Sequence, residues 1–271
     1  MSISGQNLSI VIVTLKSSNV IYQCIESIDK NIPIIVVENS DNEQFKTDLE
    51  SKYKNLKCVL TKSNIGFGAG NNIGINLAKT EYVLILNPDT ILHGDALNQI
   101  YLASKKVPEF SILAPISSNE NYPNYGMLNK KEVVRTSPFF KVDYVDGYAM
   151  LLNKNKFKNN FYFDENFFLY LENTDLCLRV KRNGGSVYVI SNAEIEHRGA
   201  STLDKKNKEE VEISRNWHWS WSKFYFNKKN YGFSRALREC LLSYFSAIIK
   251  YLFYLLINNN KKIIYFNRAS G

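Results

Sequence analysis

The sequence contains few cysteines, and their spacing excludes two classes of protein. Four occur among 271 residues, and no two of them form a Cys-x-x-Cys pair: Cys24, Cys58, Cys177 and Cys240. Disulfide-rich secreted domains and structural zinc sites both need several closely spaced cysteines. We therefore expect neither a disulfide framework nor a zinc site, and we expect a reducing compartment.

The N-terminal region also lacks the features of a secretory signal. Such a signal has a basic segment followed by an apolar one, whereas this chain enters a strand pattern at Leu8. The sequence has no internal repeat and no low-complexity linker. Its length allows one large domain, or one domain with an appendage, around a sizeable core.

Net charge is absent from most of the chain and concentrated at its C-terminal end. Residues 1–197 contain 20 Lys/Arg and 21 Asp/Glu, whereas residues 198–271 contain 14 and 5. A segment that is basic, aromatic and apolar at once is typical of contact with an anionic membrane surface. Single-stranded nucleic acid also suits such a segment, but we expect a membrane rather than a nucleic-acid partner.

The apolar part of this tail, residues 237–257, contains Lys250 deep inside it. A membrane-spanning helix needs about 20 predominantly apolar residues with few or no charges. The lysine therefore favours an amphipathic helix that lies in the membrane interface. The alternative is a helix that packs on the preceding domain or on a second subunit, as in a homodimer.

Short apolar segments alternate with helical patterns through the first half of the chain. This alternation predicts βαβ units and a mostly parallel sheet. The expected strands are 8–15, 33–38, 56–61, 83–89, 142–152 and 186–190, and the expected helices are 20–30, 44–53 and 72–78. Residues 117–125 are rich in Asn, Ser and Pro and are expected to form a loop.

A buried strand that ends in an acidic turn is the most informative segment. The apolar run from Val83 precedes Asn87-Pro88-Asp89-Thr90, so Asp89 lies at the carboxyl end of the expected strand. Ligands of open α/β sheets bind at that edge. One carboxylate there suits a magnesium-type cation that carries a diphosphate. The alternative is an ordinary β-turn with Pro88 at its second position.

The segment from Asn64 to Gly74 is rich in glycine and follows the third expected strand. Gly66 and Gly68 fit the start of a dinucleotide-binding fingerprint, but Asn71 occupies its third glycine position. That fingerprint also belongs after the first strand. The segment is better explained as a helix start whose backbone approaches a ligand closely, with a flexible loop as the alternative.

Two later segments contain candidate catalytic groups. Asn173 or Thr174 is expected to cap a helix. Glu172 and Asp175 either interact with the dipole of that helix or include a general base that removes a proton from an acceptor hydroxyl. His197 follows an expected strand and precedes a Gly/Ser turn, where its neutral ring could bind a metal.

In this order the segments resemble glycosyltransferase family 2, and within it the rhamnosyltransferase-like branch that builds bacterial surface polysaccharides such as O-antigen. The resemblance covers roughly residues 8–230. It rests on Val11–Thr14, Val36–Ser40, Asn64–Gly66, Asn71–Gly74, Leu86–Thr90, Val145–Gly147, Phe163–Glu165, Leu169–Arg179 and His197–Ser201.

The resemblance implies an α/β fold of the GT-A type, a nucleotide-diphospho-sugar transferase with a mostly parallel central sheet. This domain would occupy residues 1–230, with the nucleotide-sugar-binding half at about 1–115 and the acceptor half at 116–230. Residues 231–271 would be a basic, apolar, amphipathic helical tail that contacts the membrane or a second subunit.

The resemblance also implies an inverting displacement at the anomeric carbon, with Mn²⁺ or Mg²⁺ holding the diphosphate. By position, Asp89 and His197 are the metal ligands. Glu172 is the first candidate for the base and Asp175 the second. Relatives commonly have Asp where Asn173 stands here, and an amide cannot accept a proton. The implied donor pocket comprises Thr14, Glu38, Asn39, Asn64, Gly66, Asn71, Asn87 and Asp146.

The implied donor is dTDP-rhamnose, with a UDP-hexose as the alternative. The acceptor would be a hydroxyl of a lipid-linked or polysaccharide substrate, reached from the cytoplasm at the inner face of the cell membrane. Asn173 leaves open a non-catalytic, nucleotide-sugar-binding scaffold subunit. A nucleotidyltransferase would need a glycine-rich basic loop after the first strand, but residues 14–19 contain one lysine and no glycine.

Overall fold

The computed structural model describes residues 7–119, 121–128, 138–199 and 205–271, without the side chains of residues 205–211. The chain divides into two compact units. The first unit comprises Met1–Glu165 and Asn173–Thr202, and the second comprises Asn166–Glu172 and Leu203–Gly271. The helix at residues 205–231 therefore groups with the tail. The domain boundary expected at residue 230 remains a prediction.

The first unit is built on one large sheet. Its strands are β1 (Leu8–Thr14), β2 (Ile34–Glu38), β3 (Leu56–Leu60), β4 (Tyr82–Leu86), β5 (Thr90–Leu92), β6 (Ile112–Ser117), β7 (Tyr125–Gly126), β8 (Phe139–Lys141), β9 (Tyr144–Val145), β10 (Ala149–Asn153) and β11 (Val187–His197).

Among the described residues, nine strands form the sheet in the order β3-β2-β1-β4-β10-β6-β11-β5, with β8 also paired to β11. Strands β3, β2, β1, β4, β6 and β11 run in one direction. The expected mostly parallel sheet is therefore confirmed. Strands β7 and β9 form a separate antiparallel pair.

Helices cover both faces of this sheet, which explains why its strands β1, β4 and β10 are buried at every position. Side chains alternate across a strand, so Ile10 and Ile12 of β1 enter one core, and Val11 and Val13 enter the other. Helices α1 (Ile21–Glu26), α2 (Glu43–Lys52) and α4 (Ala96–Lys106) pack on the first face, and α3 (Phe67–Leu77) and α5 (Glu172–Arg182) pack on the second.

Helix α3 lies unusually close to β1 because two of its residues are glycines. A Cβ added to Gly74 would come within 2.3 Å of Val11 Cγ1, and one added to Gly70 within 2.9 Å of Val13 Cγ1. The helix also begins earlier than expected, at Phe67 instead of Asn72. Gly66 precedes it with φ of 90°, a left-handed conformation that glycine adopts without strain.

Two expectations about the second half of this unit are wrong. The strand expected over 142–152 is two strands, because residues 146–148 separate β9, which pairs with β7, from β10, which lies in the large sheet. Asn173 and Thr174 do not cap α5, since both lie inside it. Asn173 Nδ2 instead donates a hydrogen bond to Val145 O at 2.7 Å, which ties α5 to the end of β9.

The second unit consists mainly of helices α6 (Lys205–Tyr231), α7 (Phe233–Leu256) and α8 (Lys261–Ser270). Gly232, with φ of 91°, separates α6 from α7. By length and composition, α7 is the described helix that could cross a membrane, and little of it is buried. The apolar segment expected from the sequence is therefore helical and largely exposed.

Candidate active site

Pairing between β5 and β11 brings together the two residues that the sequence proposes as metal ligands. The antiparallel register sets His197 opposite Thr90, the residue after Asp89. Arg198 N also donates to Asp89 O at 3.1 Å. Residues that are 108 positions apart in the chain thus become neighbours at the carboxyl end of β4.

The side chains of this pair point at each other. His197 Nε2 lies 3.3 Å from Asp89 Oδ1, and their side chains are 29% and 14% exposed. The imidazole ring stacks on Tyr148, with centroids 4.1 Å apart and planes inclined by 14°. This stacking fixes the plane of the imidazole, so that its Nε2 edge stays directed at the carboxylate.

The acidic turn is held by its own hydrogen bonds and by its neighbours. Thr90 N and Oγ1 both donate to Asn87 O, at 3.2 and 2.7 Å, which closes the turn expected around Pro88. Asn87 N donates to Tyr148 O at 2.9 Å. The turn is therefore both an ordinary β-turn and the support of Asp89, so the two explanations of the segment do not compete.

Asp146 lies in the segment between β9 and β10 that also contains Tyr148. Burial raises the pKa of the Asp146 carboxyl above its ordinary value, and the nearby His197 opposes part of that rise. The structure therefore brings Asp146 into electrostatic range of the Asp89–His197 pair. Three of the residues proposed from the sequence thus share one site.

The ends of β1 and β2 form a second polar cluster at the same edge of the sheet. Thr14 pairs with Glu38 in the parallel register, and Asn39 N donates to Thr14 O at 2.8 Å. Ser40 Oγ donates to Glu38 Oε1 at 2.5 Å. Burial nevertheless raises the pKa of Glu38 above its ordinary value, with the Ser40 hydrogen bond opposing the shift.

The glycine-rich segment is joined to this cluster. Asn39 Nδ2 donates to Gly66 O at 3.0 Å, and Asn64 Oδ1 accepts from Gly66 N at 3.1 Å. Asn71 is fully buried in α3, where its Nδ2 donates to Phe67 O at 3.0 Å. Asn39, Gly66 and Asn64 therefore form one hydrogen-bonded region, and Asn71 lies in the helix that begins at the next residue, Phe67.

The two candidate bases at the start of α5 have different surroundings. Asp175 is fully buried and accepts from Arg179 Nε at 2.8 Å, and the Arg179 guanidinium also donates to Tyr162 O. Glu172, grouped with the second unit, is 5% exposed, and burial raises its pKa to about 7. Asp175 is thus held in an ion pair, whereas Glu172 titrates near neutral pH.

Buried polar atoms without protein partners occur among the proposed site residues. In the described part of the chain they include Thr14 Oγ1, Asn71 Oδ1 and Glu172 Oε2. A buried polar atom without a hydrogen bond is costly, so such atoms indicate places where a ligand can complete the bonding. The same part of the chain holds no group of three or more His, Cys, Asp or Glu arranged to bind a metal.

Sequence reasoning missed three residues that support the site. Tyr148, Ser40 and Thr61 contact His197, Glu38 and Asn39 respectively, with Thr61 Oγ1 donating to Asn39 Oδ1 at 3.2 Å. Ser40 follows Glu38 and Asn39 in the sequence, and that adjacency was the available signal. Nothing in the sequence near Tyr148 or Thr61 indicated their partners.

Comparison with known families now decides the assignment. The sequence profile described as "Glycosyl transferase family 2" matches residues 9–173, more than half of the chain. The chain belongs to glycosyltransferase family 2. The matched region of this family 2 chain contains Asp89, Asp146 and the donor-pocket residues, but it ends before His197.

Characterised relatives support the branch that the sequence suggested. The rhamnosyltransferase WbbL of Escherichia coli is 28% identical over 211 residues, which are 67% of this chain and 79% of that protein. The low-salt glycan biosynthesis hexosyltransferase Agl10 of Haloferax volcanii is 26% identical over 65% of this chain and 62% of its own length. The similarity of this family 2 chain to rhamnosyltransferases is therefore confirmed.

A mycobacterial relative and two solved structures complete the comparison. N-acetylglucosaminyl-diphospho-decaprenol L-rhamnosyltransferase of Mycobacterium tuberculosis is 21% identical over 64% of this chain and 69% of its own length. GalNAc-T7 with UDP, GalNAc and Mn²⁺ superposes with a TM-score of 0.58 at 13% identity, over 83% of this chain and half of its own. TarS 1-349 of S. aureus superposes with a TM-score of 0.56 at 14% identity, over 97% of this chain and 90% of the TarS chain. These likenesses confirm the GT-A fold.

Proposed function

We propose that this family 2 chain is an inverting, metal-dependent glycosyltransferase that moves a sugar from a nucleotide-diphosphate donor to an acceptor hydroxyl. The observation that carries the proposal is the Asp89–His197 pair, 3.3 Å apart, at the carboxyl edge of the sheet. Ligands of α/β sheets bind at this edge, and the polar cluster at Thr14, Glu38 and Asn39 ends there as well.

The donor would lie against the polar cluster and the glycine-rich segment. Thr14 Oγ1 and Asn71 Oδ1 lack partners among the described residues, so they can accept or exchange hydrogen bonds with a nucleotide or a sugar. Glu38 and Asn39 would bind the base, and Asn64, Gly66 and Asn87 would lie along the sugar diphosphate. Asp146 would lie between donor and acceptor.

The side chains at Asp89 and His197 suit Mn²⁺ or Mg²⁺. One carboxylate and one neutral imidazole are a small ligand set, and such ions take their remaining ligands from substrate phosphates and water. When bound, the ion would neutralise charge on the diphosphate leaving group. Tyr148 supports this role, because it orients the His197 ring toward the carboxylate.

Glu172 is the first candidate for the base. A general base works best when its pKa lies near the operating pH, and burial raises the pKa of Glu172 to about 7. Its carboxylate would accept the proton of the acceptor hydroxyl as that oxygen attacks the anomeric carbon. Asp175 remains the second candidate, because Arg179 already occupies one of its oxygens.

The names of the relatives support the proposed sugar and acceptor. Two of them are rhamnosyltransferases and a third is a hexosyltransferase, so dTDP-rhamnose is the proposed donor and a UDP-hexose the alternative. The acceptor would be lipid-linked or a growing surface polysaccharide. The basic tail would hold the enzyme peripherally at the inner face of the cell membrane, or would join two subunits in a homodimer.

The first experiment is thermal stabilisation of the purified chain by nucleotide diphosphates and nucleotide sugars, each with Mn²⁺, with Mg²⁺ and with a chelator. A ligand that binds the native state must raise its stability, by about 2.7 kcal/mol at a concentration 100 times the Kd. The expected result is a metal-dependent rise in Tm with dTDP-rhamnose. A larger rise with a UDP-hexose would reassign the donor, and stabilisation without turnover would favour the scaffold subunit.

A further inference from the structure

A cavity of about 520 Å³ lies among the three long helices of the second unit. Each helix contributes one cation to its wall: Lys223 from α6, Lys250 from α7 and Arg268 from α8. Within the described residues, no Asp or Glu side chain lines it. A concave surface lined by charges of one sign concentrates ions of the opposite sign.

Among the described residues, the three cations of this cavity have no Asp or Glu partner. Lys223 Nζ donates to Ser243 Oγ at 3.4 Å, and Lys250 Nζ lies 5.4 Å from the centroid of the Tyr265 ring. In the described part of the chain, none of the three cations forms an ion pair. The acidic residue of α7, Glu239, lies instead 4.0 Å from Arg235. The cavity therefore has room and charge for an anion.

Part of the cavity wall is apolar. Phe224, Leu237 and Leu241 line it, and the adjoining surface of α7 exposes further large apolar side chains, including Leu242 and Ile249 at 81% and 67%. Hydroxyl groups on the wall, such as those of Ser220 and Ser246, can donate to phosphate oxygens. A wall that combines cations, hydroxyl groups and hydrocarbon matches an amphiphilic anion.

We propose that this cavity binds the headgroup of a single anionic phospholipid. Its phosphate would lie among Lys223, Lys250 and Arg268, and the start of an acyl chain would follow Leu237 and Leu241. The inference deepens the proposed membrane contact of the tail, because it replaces diffuse attraction between a basic helix and a charged surface with a defined site. It does not depend on the identity of the sugar.

Binding of a soluble short-chain lipid to the full-length chain tests this site without a membrane. The probe is dihexanoyl-phosphatidylglycerol below its micelle-forming concentration, followed by isothermal titration calorimetry and by the emission of Trp219, which lines the cavity. We expect saturable binding. The zwitterionic lipid dihexanoyl-phosphatidylcholine is the comparison, and we expect it to bind far more weakly.

The decisive comparison is between two triple variants that remove the same charge. Lys223→Gln with Lys250→Gln and Arg268→Gln should weaken binding about a hundredfold, since each cation near an anionic lipid contributes about 1 kcal/mol. The matched control, Lys228→Gln with Arg238→Gln and Lys262→Gln, lies outside the cavity wall and should stay within about twofold of the unmodified chain. If circular dichroism shows lost helix, the three single variants replace the triple, each about fivefold weaker.

Several results would overturn the proposal. Equal losses in both triple variants would mean diffuse electrostatic attraction, and equal binding of the zwitterionic lipid would remove the role of the cations. Inorganic phosphate that binds as tightly as the lipid would show that the hydrocarbon contributes nothing. Absence of saturable binding would also reject the site, but it would leave nucleotide-sugar binding, which is measured separately, unaffected.

Discussion

Burial strongly changes the acid–base behaviour of Glu172. A carboxyl that is 5% exposed loses hydration, and burial raises its pKa from 4.5 to about 7. No protein donor among the described residues bonds its Oε2. Ionisation of a buried, unpaired carboxyl lowers the free energy of unfolding. Such groups cluster at functional sites.

Replacement of this carboxyl by an amide should separate catalysis from folding. Glu172→Gln should abolish sugar transfer and leave the donor-induced rise in Tm intact. It should also stabilise the protein by on the order of 3 kcal/mol at pH 8, since one pKa unit corresponds to 1.36 kcal/mol. Urea unfolding at several pH values and a turnover assay measure these effects.

The direction of the pH dependence is fixed by the pKa shift. The folded state holds the Glu172 proton up to about pH 7, whereas an ordinary Glu loses it near 4.5. The contribution of Glu172 to the free energy of unfolding therefore falls as pH rises between these values, and the variant lacks that part of the pH dependence. Activity should rise over pH 6 to 8 as the base ionises. Full turnover by Glu172→Gln would eliminate Glu172 as the base and promote Asp175.

Asp89 should control the response to metal. Asp89→Asn keeps the size of the side chain but removes the charge, so Mn²⁺ should no longer raise Tm in the presence of nucleotide diphosphate. The variant should still bind the nucleotide in the absence of metal, with lower affinity than the unmodified chain has in the presence of Mn²⁺. Glu109→Gln, at an acid whose side chain is 84% exposed beside Lys156, is the control and should respond as the unmodified chain does. A retained Mn²⁺ effect in Asp89→Asn would place the ion elsewhere.

At the scale of elements, the closeness of α3 to β1 positions residues of the proposed donor pocket. The two glycines let the helix lie directly on Val11 and Val13, while Gly66 at its N-terminal end accepts a hydrogen bond from Asn39 of the polar cluster. Asn72 at the same helix exchanges hydrogen bonds with Phe163. The helix thus links β1 to the segment before α5.

Gly74→Ala should therefore destabilise the fold and displace the pocket. The added methyl would meet Val11 Cγ1 at 2.3 Å, and overpacking of this kind costs about 1–3 kcal/mol. Val11→Ala in the same chain should recover part of the loss, which a double-mutant cycle measures as a coupling energy. Additive effects of the two substitutions would mean that α3 moves away from β1 without resistance.

At the scale of the whole molecule, a neutral sheet unit is joined to a basic helical unit that exposes apolar surface. Large exposed apolar side chains are concentrated on α7, including Leu242, Ile249 and Leu256. Contiguous apolar surface of this kind marks a membrane or protein contact. The charge of the tail, 14 Lys/Arg against 5 Asp/Glu in residues 198–271, favours an anionic membrane.

Replacement of the apolar surface should release the chain from membranes. A variant with Leu242→Gln, Ile249→Gln and Leu256→Gln should bind phosphatidylglycerol-containing vesicles at least a hundredfold more weakly, because each buried side chain contributes about 1.5–3 kcal/mol. Leu77→Gln with Leu102→Gln, at half-exposed positions of the first unit, is the control. Sedimentation that shows a dimer in the unmodified chain and a monomer in the variant, with vesicle binding unchanged, would assign α7 to a subunit interface.

The sequence predicted those parts of the fold in which local pattern and tertiary position agree. Strands β1, β2 and β4 are buried on both faces, so their apolar runs were unambiguous. The run over 142–152 is less uniform, because it contains Asp143, Asp146 and Gly147, and the structure breaks it at residues 146–148. Asn173 was expected as a cap, but a distant carbonyl at Val145 uses its amide.

The candidate site could be predicted where a carboxylate lies at the end of an apolar strand, as for Asp89 and Glu38. Contacts that depend on the pairing of remote strands could not be predicted from the sequence. The stacking of Tyr148 on His197 is one such contact. Register between β5 and β11 puts His197 beside the acidic turn, and no local pattern in the sequence contains that register. Resemblance to the family supplied this residue instead.

The stacking of Tyr148 on His197 makes the site visible to nuclear magnetic resonance. The chain has three histidines, so an imidazole spectrum has three sets of signals. His197 and His218 each lie over an aromatic ring, whereas His93 is paired with Glu196. Ring currents should therefore shift the first two signals upfield and leave the third in place. Paramagnetic Mn²⁺ should then broaden the His197 signal first, which reports occupancy of the site atom by atom, without any turnover of substrate.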